Sequence, residues 1–204
     1  MERSEYLKAS PPMFKSGLLD RFTRVHHLVP LVLFGPAIAI LFALGVERLG
    51  LLRSLGLAVG GYALWTLAEY WIHRVIFHFE PAQGFGARVH WMVHGVHHDH
   101  PNDPLRLVMP PAASIPLALV FYALFVLVLG GDRATAFGAG FLAGYLLYDM
   151  IHYHLHHHTP RTRGGRWLRE LHMRHHFQDD ERGFGISAPY WDRVFGTMHV
   201  RRSR

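Results

Sequence analysis

The sequence of 204 residues contains no cysteine. This absence excludes disulfides, iron–sulfur clusters and thiolate nucleophiles, so any bound metal must be held by histidine, aspartate or glutamate. Charge is also scarce, because charged residues make up 18% of the chain while apolar residues make up 50%. A chain of this length corresponds to one ordinary domain, and we expect 1–204 to form a single unit.

Long stretches of the chain lack charge altogether. Segments 28–46 and 107–131 contain no charged residue, and their 19 and 25 residues reach the length of about 20 that a membrane-spanning helix needs. Two further apolar segments contain a single acid each, near the end. The sequence therefore predicts an all-α integral membrane protein with four transmembrane helices, at about 28–46, 54–72, 112–131 and 134–151. A soluble bundle of apolar helices is the alternative.

Positive charge is unevenly distributed along the chain. Lysine and arginine number 18 in 1–27, 73–111 and 152–204, against three in the two short connections between the spans. The positive-inside rule places the basic segments in the cytoplasm, where 73–111 and 152–204 would form a helical cap. The net charge of +6 needs no nucleic acid partner, because no aromatic–basic recognition motif accompanies it and a basic tail can lie against anionic lipids. No cleavage pattern of small residues follows the first apolar run, so a cleavable signal is not expected.

Histidine, in contrast, is abundant, with 18 residues. Eleven of them lie in four blocks, HRVIFH, HGVHH, HYHLH and HMRHH, and all of these except His154, which on a helix faces away from His152 and His156, are candidate ligands. Histidines three or four residues apart share one face of a helix, so each block is predicted to direct its nitrogens to one point. Ten imidazoles exceed the six ligands of an octahedral ion, which predicts two metal ions with about five nitrogens each. The candidate ligands are His73, His78, His94, His97, His98, His152, His156, His172, His175 and His176.

Spacing also makes predictions about individual residues. His73 and His78 are about 500° apart on an ideal helix, so they reach a common centre only if the helix distorts or ends there. Glu69 precedes His73 by four residues and is predicted to hydrogen-bond its outer ring nitrogen; an ion pair with an arginine is the alternative. Asp149 precedes His152 by three residues and is predicted to do the same.

The histidine blocks lie within the longer segments HGVHHDHPNDPLRLVMPP, GYLLYDMIHYHLHHHTP and LHMRHHFQDDERGFGIS, and the last of these is followed by WDRVFGT. These four segments resemble the fatty acid hydroxylase superfamily, and within it the fatty acid 2-hydroxylases. The resemblance extends over about 65–197 and includes positions other than histidine, such as Pro101, Tyr148 and Asp149. It implies four transmembrane helices under a cytosolic helical cap that holds a histidine-rich dimetal centre, with the same ten candidate histidines as ligands.

The resemblance further implies an O2-dependent monooxygenase that inserts oxygen at C2 of a fatty acyl chain, free or lipid-linked as in ceramide. Two non-haem iron ions are expected, because zinc cannot change its oxidation state. Zinc can still occupy the purified protein, since it binds such sites more tightly than Fe(II). Many relatives carry a fused cytochrome domain, but 1–27 contain no haem-binding HPGG-like segment, so a separate electron donor of cytochrome or ferredoxin type is expected. Nineteen arginines against two lysines suit a bacterial inner membrane.

Other assignments stay open at this point. Asn102, Asp103 and Arg106 are predicted to hold the polar head of the substrate, although Arg106 could equally cap a helix or pair with Asp103. Segments 183–187 and 191–197 are expected to close the cap, with no assigned chemistry. Enzymes that act on sterols, carotenoids and other lipids share the histidine pattern. A membrane zinc hydrolase and a non-enzymatic metal carrier or sensor are further alternatives.

Overall fold

The computed structural model describes residues 2–199, and this part of the chain contains helices and connecting segments without a strand. Two of the helices have the wider i→i+5 hydrogen bonding of π-helices and are labelled π1 and π2. In chain order the elements are α1 (Arg3–Lys8), α2 (Gly17–Arg21), α3 (Leu28–Leu49), α4 (Leu51–Trp71), π1 (Ile72–Phe77), α5 (Gly84–His90), π2 (Trp91–Gly95), α6 (Val96–Asp99), α7 (Pro111–Leu129), α8 (Gly131–His157), α9 (Arg163–Phe177) and α10 (Tyr190–Val194).

Four helices are long and apolar enough to cross a membrane: α3, α4 with π1, α7 and α8. The prediction of four transmembrane helices is confirmed. The second and fourth helices are longer than predicted, because each has 27 residues and ends at Phe77 or His157. Such a helix is about 40 Å long, against a hydrocarbon core of about 30 Å, so its last turns lie outside the core. Residues 73–77 and 152–157 therefore continue the second and fourth helices beyond the hydrocarbon core.

Single glycines form the two turns between the long helices. Gly50 ends α3 and begins α4, and Gly130 does the same between α7 and α8. Their φ angles of 78° and 80° lie in the left-handed region, which glycine enters at little cost. Arg48 of one turn donates to Asp132 beside the other at 3.0 Å. Both helical hairpins therefore turn at the same end of the bundle.

The helix α8 forms the centre of the bundle and packs against α3, α4 and α7. Its backbone nearly touches that of α4 at two positions. A Cβ atom at Gly140 would lie 1.9 Å from the carbonyl oxygen of Ala58, and one at Gly61 would lie 2.0 Å from that of Phe137. This close contact fixes the relative positions of α4 and α8, whose far ends carry two of the four histidine blocks.

The amino-terminal segment crosses the loop that follows α6. The backbone N–H of Asn102 donates to the carbonyl of Leu7 at 3.0 Å, and that of Val25 donates to the carbonyl of Leu105 at 2.6 Å. These contacts make 2–27 part of the cap that covers the histidine blocks.

Candidate metal centre

All ten candidate histidines come together in two groups of five. The first histidine cluster consists of His73, His78, His94, His98 and His175, and the second histidine cluster consists of His97, His152, His156, His172 and His176. Within each cluster every residue offers one nitrogen, and these nitrogens lie within 4.8 Å of one another. Each cluster can hold a metal ion.

The π-helix π1 brings His73 and His78 into the same cluster. Its hydrogen bonds join residues five apart, and the N–H of His78 donates to the carbonyl of His73 at 3.2 Å. The two ring centroids are 5.0 Å apart. The helix thus has the distortion that the five-residue spacing requires, and His78 ends it.

Two of the blocks are divided between the clusters. His94 and His98 belong to the first cluster, whereas His97 belongs to the second. On a helix, the side chains of residues i and i+4, here His94 and His98, point in directions that differ by about 40°. The side chain at i+3, here His97, points about 100° away from that at i+4. The fourth block is divided in the opposite way, with His175 in the first cluster and the other two in the second. The prediction that each block points to one centre is therefore wrong for these two blocks.

The Nε2 atoms of several rings face each other across the clusters. His156 and His172 have their Nε2 atoms 2.7 Å apart, and in the first cluster the Nε2 atoms of His73 and His94 are 3.2 Å apart. At most one nitrogen of each pair can carry a proton. Converging imidazole nitrogens of this kind provide the neutral ligands that first-row transition metals bind.

Burial keeps the cluster histidines of the cap neutral. It lowers the pKa of His78 and that of His97 to about 3, and neighbouring imidazoles add to the shift. Burial lowers the pKa of His175 to about 4, although the hydrogen bond to the carbonyl of Arg182 opposes this change. Burial also lowers the pKa of the remaining cluster residues in the cap, His94, His98, His172 and His176. All of these rings are in the form that binds metal at neutral pH.

Several cluster nitrogens are buried without a hydrogen-bond partner among residues 2–199. They include both ring nitrogens of His152 and the Nε2 atoms of His97 and His98. A buried polar atom without a partner costs about 1–3 kcal/mol, so an arrangement of many such atoms requires a compensating ligand. Five neutral imidazoles per cluster therefore fit a metal ion in donor type and number.

Two histidines of the first cluster have their outer nitrogens bound to one backbone segment. The Nδ1–H of His73 donates to the carbonyl of Phe184, and that of His175 donates to the carbonyl of Arg182, both at 2.7 Å. A carbonyl only accepts, so these bonds fix the proton on Nδ1 and leave Nε2 free to face the cluster. This role of the segment could not be predicted from the sequence, because backbone carbonyls are present at every position.

The two acids that were predicted to bind the outer nitrogens of His73 and His152 do not do so. Glu69 accepts the backbone N–H of Ser187 at 2.7 Å and also its hydroxyl, while Phe184 takes the place at His73. The Oδ2 atom of Asp149 is unpartnered within the described chain, as are both nitrogens of His152.

The three residues predicted to bind the substrate head lie under the amino-terminal segment. Arg106 is buried, donates to the carbonyl of Pro11 and pairs with Asp20 at 3.0 Å. Asp103 accepts the N–H of Leu105 at 2.9 Å and is 3% exposed. The guanidinium of Arg106 is thus engaged with the protein itself, and Arg106 pairs with Asp20 instead of Asp103.

Comparisons with known proteins agree with this architecture. The sequence model of the fatty acid hydroxylase family matches residues 58–197. The chain is 34% identical over 189 residues to the dihydroceramide fatty acyl 2-hydroxylase FAH2 of Arabidopsis thaliana. The aligned region covers 92% of this chain and 80% of that protein. It is 41% identical over 148 residues to the human fatty acid 2-hydroxylase, covering 70% of this chain and 39% of that protein.

A solved structure of full-length scs7p, in which only the hydroxylase domain is visible, superposes with a TM-score of 0.90 at 34% identity. The match covers 96% of this chain and 75% of that chain. The chain spans half the length of the ceramide very long chain fatty acid hydroxylase SCS7 of Saccharomyces cerevisiae, to which it is 35% identical. On these grounds the chain belongs to the fatty acid hydroxylase family of metal-dependent oxidoreductases.

Proposed function

We propose that this protein is a membrane-bound dimetal monooxygenase that inserts one oxygen atom of O2 at C2 of a fatty acyl chain, free or linked in a lipid such as ceramide. The observation that carries the proposal is the pair of five-histidine clusters at the ends of two apolar helices. Relatives that share most of the chain are named as fatty acyl 2-hydroxylases, which supports the choice of carbon.

The ten cluster histidines would hold two non-haem ions, one in each cluster. Iron at these positions would supply the redox chemistry that O2 activation requires. Zinc cannot change its oxidation state and so cannot supply this chemistry, although it can occupy the site in purified protein. The protein's own contribution is to hold ten neutral imidazoles in place and to bury them under the cap. Burial keeps bulk water from the reacting carbon and the oxidant.

The position of the clusters supports C2 as the reacting carbon. His73 follows the last residue of α4 by two positions, and His152 follows the apolar part of α8 directly. The clusters therefore begin where the hydrocarbon region ends. In a bilayer, C2 of an acyl chain lies at this same boundary, because it adjoins the carbonyl at the polar head. A carbon in mid-chain would have to leave the hydrocarbon to reach the same depth.

The balanced reaction requires a reductant. Insertion of one oxygen atom into a C–H bond releases the second atom as water, which consumes two electrons and two protons. We propose that a separate one-electron carrier protein of cytochrome or ferredoxin type provides the electrons.

We further propose that the clusters face the cytoplasm, in a bacterial inner membrane. The charge distribution along the sequence supports this orientation, because segments 1–27, 73–111 and 152–204 contain 18 basic residues and the two short connections between the spans contain three. The sterol, carotenoid and hydrolase alternatives use the same histidines, and they are separated by the product.

Lipid mass spectrometry of cells grown under ¹⁸O2 tests the proposed function. We compare the unaltered protein with His156→Ala, which removes a second-cluster ligand, and with His154→Ala, which removes an exposed histidine of the same helix. The expected result is ¹⁸O at the second acyl carbon with the unaltered protein and with His154→Ala, and none with His156→Ala. Label in a sterol or carotenoid would contradict the acyl substrate, and lipid cleavage without label from O2 would indicate a hydrolase.

A further inference from the structure

The segment 182–187, which is part of the connection between α9 and α10, lies against the first histidine cluster. Its carbonyls at Arg182 and Phe184 accept the Nδ1–H groups of two histidines that come from different helices. The ring of Phe184 also lies next to the cluster, with its centroid 5.4 Å from that of His78. The position of this short backbone segment therefore decides where two of the five imidazoles point.

Asp192 of α10 holds the segment from the opposite side. Its Oδ1 accepts the backbone N–H of Phe184 at 2.8 Å, and its Oδ2 accepts that of Gly185 at 2.9 Å. The hydroxyl of Thr197 donates to Oδ1 at 2.8 Å. Asp192 is 1% exposed, so three donors surround a carboxylate that has almost no contact with solvent. Charge-assisted bonds of this kind are about twice as strong as neutral ones.

The hydroxyl groups around Asp192 form a chain with one direction. Because Thr197 gives its proton to Asp192, the hydroxyl of Tyr70 must donate to Thr197, at 2.9 Å. Arg74 donates in turn to the hydroxyl of Tyr70 at 3.0 Å. Tyr70 and Arg74 flank His73 in sequence. The chain therefore connects Asp192 to the same helix that carries a histidine of the first cluster.

The second cluster has no comparable support. The Nδ1 atoms of His152, His156, His172 and His176 have no hydrogen-bond partner among the residues that the structure describes. A change at Asp192 should therefore affect the two clusters differently.

We propose that Asp192 is a positioning residue for the first histidine cluster. Its carboxylate fixes the backbone of Phe184 and Gly185, so that the carbonyls of Arg182 and Phe184 hold His175 and His73 with Nε2 toward the metal. The inference rests on the proposed dimetal centre. It assigns a role to the WDRVFGT segment, in which sequence reasoning found no chemistry.

Asp192→Asn is the informative substitution. It keeps the size of the side chain but places an amide NH2 group where a backbone N–H now donates, so one of the two backbone bonds is replaced by a repulsive contact. Substitution of groups that orient metal ligands weakens metal binding by about 10- to 100-fold. We expect a loss of this size at the first cluster and none at the second.

The experiment measures the zinc affinity of each cluster separately, by chelator competition and elemental analysis of the full chain. In one background His97→Ala and His176→Ala disable the second cluster. In the other, His98→Ala and His175→Ala disable the first. Asp192→Asn should weaken zinc binding about 10- to 100-fold in the first background and leave it unchanged in the second.

Equal weakening in both backgrounds would mean that Asp192 only stabilises the fold, and no weakening in either would also overturn the inference. Failure of both backgrounds to bind zinc would instead contradict the dimetal proposal.

Glu181→Gln, which removes an exposed acid next to Arg182, is the matched control and should change neither affinity. If Asp192→Asn does not fold, Thr197→Val decides the question. It removes one donor to Asp192 and should give a smaller loss confined to the first cluster.

Discussion

His97 and His175 occupy the same position in their respective HxxHH blocks, and each lies in the cluster that holds the other block's remaining two histidines. The two blocks thus exchange one ligand each. Helical geometry explains the exchange, because the i+3 residue points away from the i and i+4 pair. Each of these helices therefore lies between the two clusters and contributes to both.

This exchange can be tested with two double substitutions. His97→Ala with His176→Ala removes two ligands from the second cluster only, and we expect one zinc ion to be lost while the other is bound with unchanged affinity. His175→Ala with His176→Ala changes neighbouring residues but leaves four histidines in each cluster, and we expect both ions to be bound more weakly. The measurement is zinc per protein across a chelator titration. The reverse pattern would show that the ligands are grouped by block.

The close contact of α4 and α8 should be sensitive to a single methyl group. Gly140→Ala places a Cβ atom 1.9 Å from the carbonyl oxygen of Ala58, so the helices must move apart. We expect a loss of about 1–3 kcal/mol in unfolding free energy, which is typical of overpacking. We also expect weaker metal retention, because both helices carry cluster ligands.

Thermal unfolding in one detergent, with metal content measured in parallel, provides the test. Gly56→Ala on α4 is the matched control, since no atom lies within 4 Å of its added Cβ. It should be neutral or slightly stabilising, because alanine favours the helix by about 1 kcal/mol over glycine. Equal stability of the two variants would contradict the observed helix contact.

The ion pair of Arg106 with Asp20 should contribute more than the exposed pair of Arg48 with Asp132. Removing one partner of a buried ion pair lowers the unfolding free energy by about 3–5 kcal/mol. We expect Arg106→Leu to cost about 3 kcal/mol, because Arg24 still contacts Asp20 at 3.0 Å. Arg48→Leu should cost less than about 1 kcal/mol. Thermal unfolding compares the two variants.

Kinetic measurements on Arg106→Leu separate this structural role from contact with the substrate head. If Arg106 holds the substrate, KM rises while the unfolding midpoint stays the same. The structure predicts the reverse, because Arg106 pairs with Asp20: the unfolding midpoint falls and KM does not change selectively.

The absence of native cysteine allows the membrane orientation to be tested directly. Gly131 and Gly164 are both exposed and have space for a side chain, the first at a glycine turn and the second at the start of α9. We expect a membrane-impermeant maleimide to label Gly131→Cys in intact cells without an outer barrier, and Gly164→Cys only after permeabilisation. Labelling of Gly164→Cys alone in intact cells would reverse the proposed orientation.

The sequence was sufficient for properties that depend on local composition. Uncharged runs of sufficient length mark spanning helices wherever the rest of the chain lies, because the hydrocarbon core excludes charge. The spacing of His73 and His78 required a distorted helix, and π1 provides it. The number of clustered histidines likewise indicated two groups of five before their arrangement was known.

The sequence was insufficient where a contact depends on the packing of distant segments. Spacing suggested Glu69 as the partner of His73, but the partner is the carbonyl of Phe184, 111 residues away in the chain. Arg106 was similarly separated from Asp20 by 86 residues. A backbone carbonyl carries no signal in the sequence, and an acid can pair with any cation that the fold brings near it.

By itself, then, the sequence determined that the chain spans a membrane four times and offers ten imidazoles to metal, since both properties follow from residue type and short-range spacing. Only the tertiary structure decided which imidazole joins which cluster and what holds it there. The physical reason is that a helix fixes the angles between its own side chains but not the direction of its axis. The contact of α4 with α8 fixes the directions of these two helices, and the segment bound to Asp192 orients two of the imidazole rings.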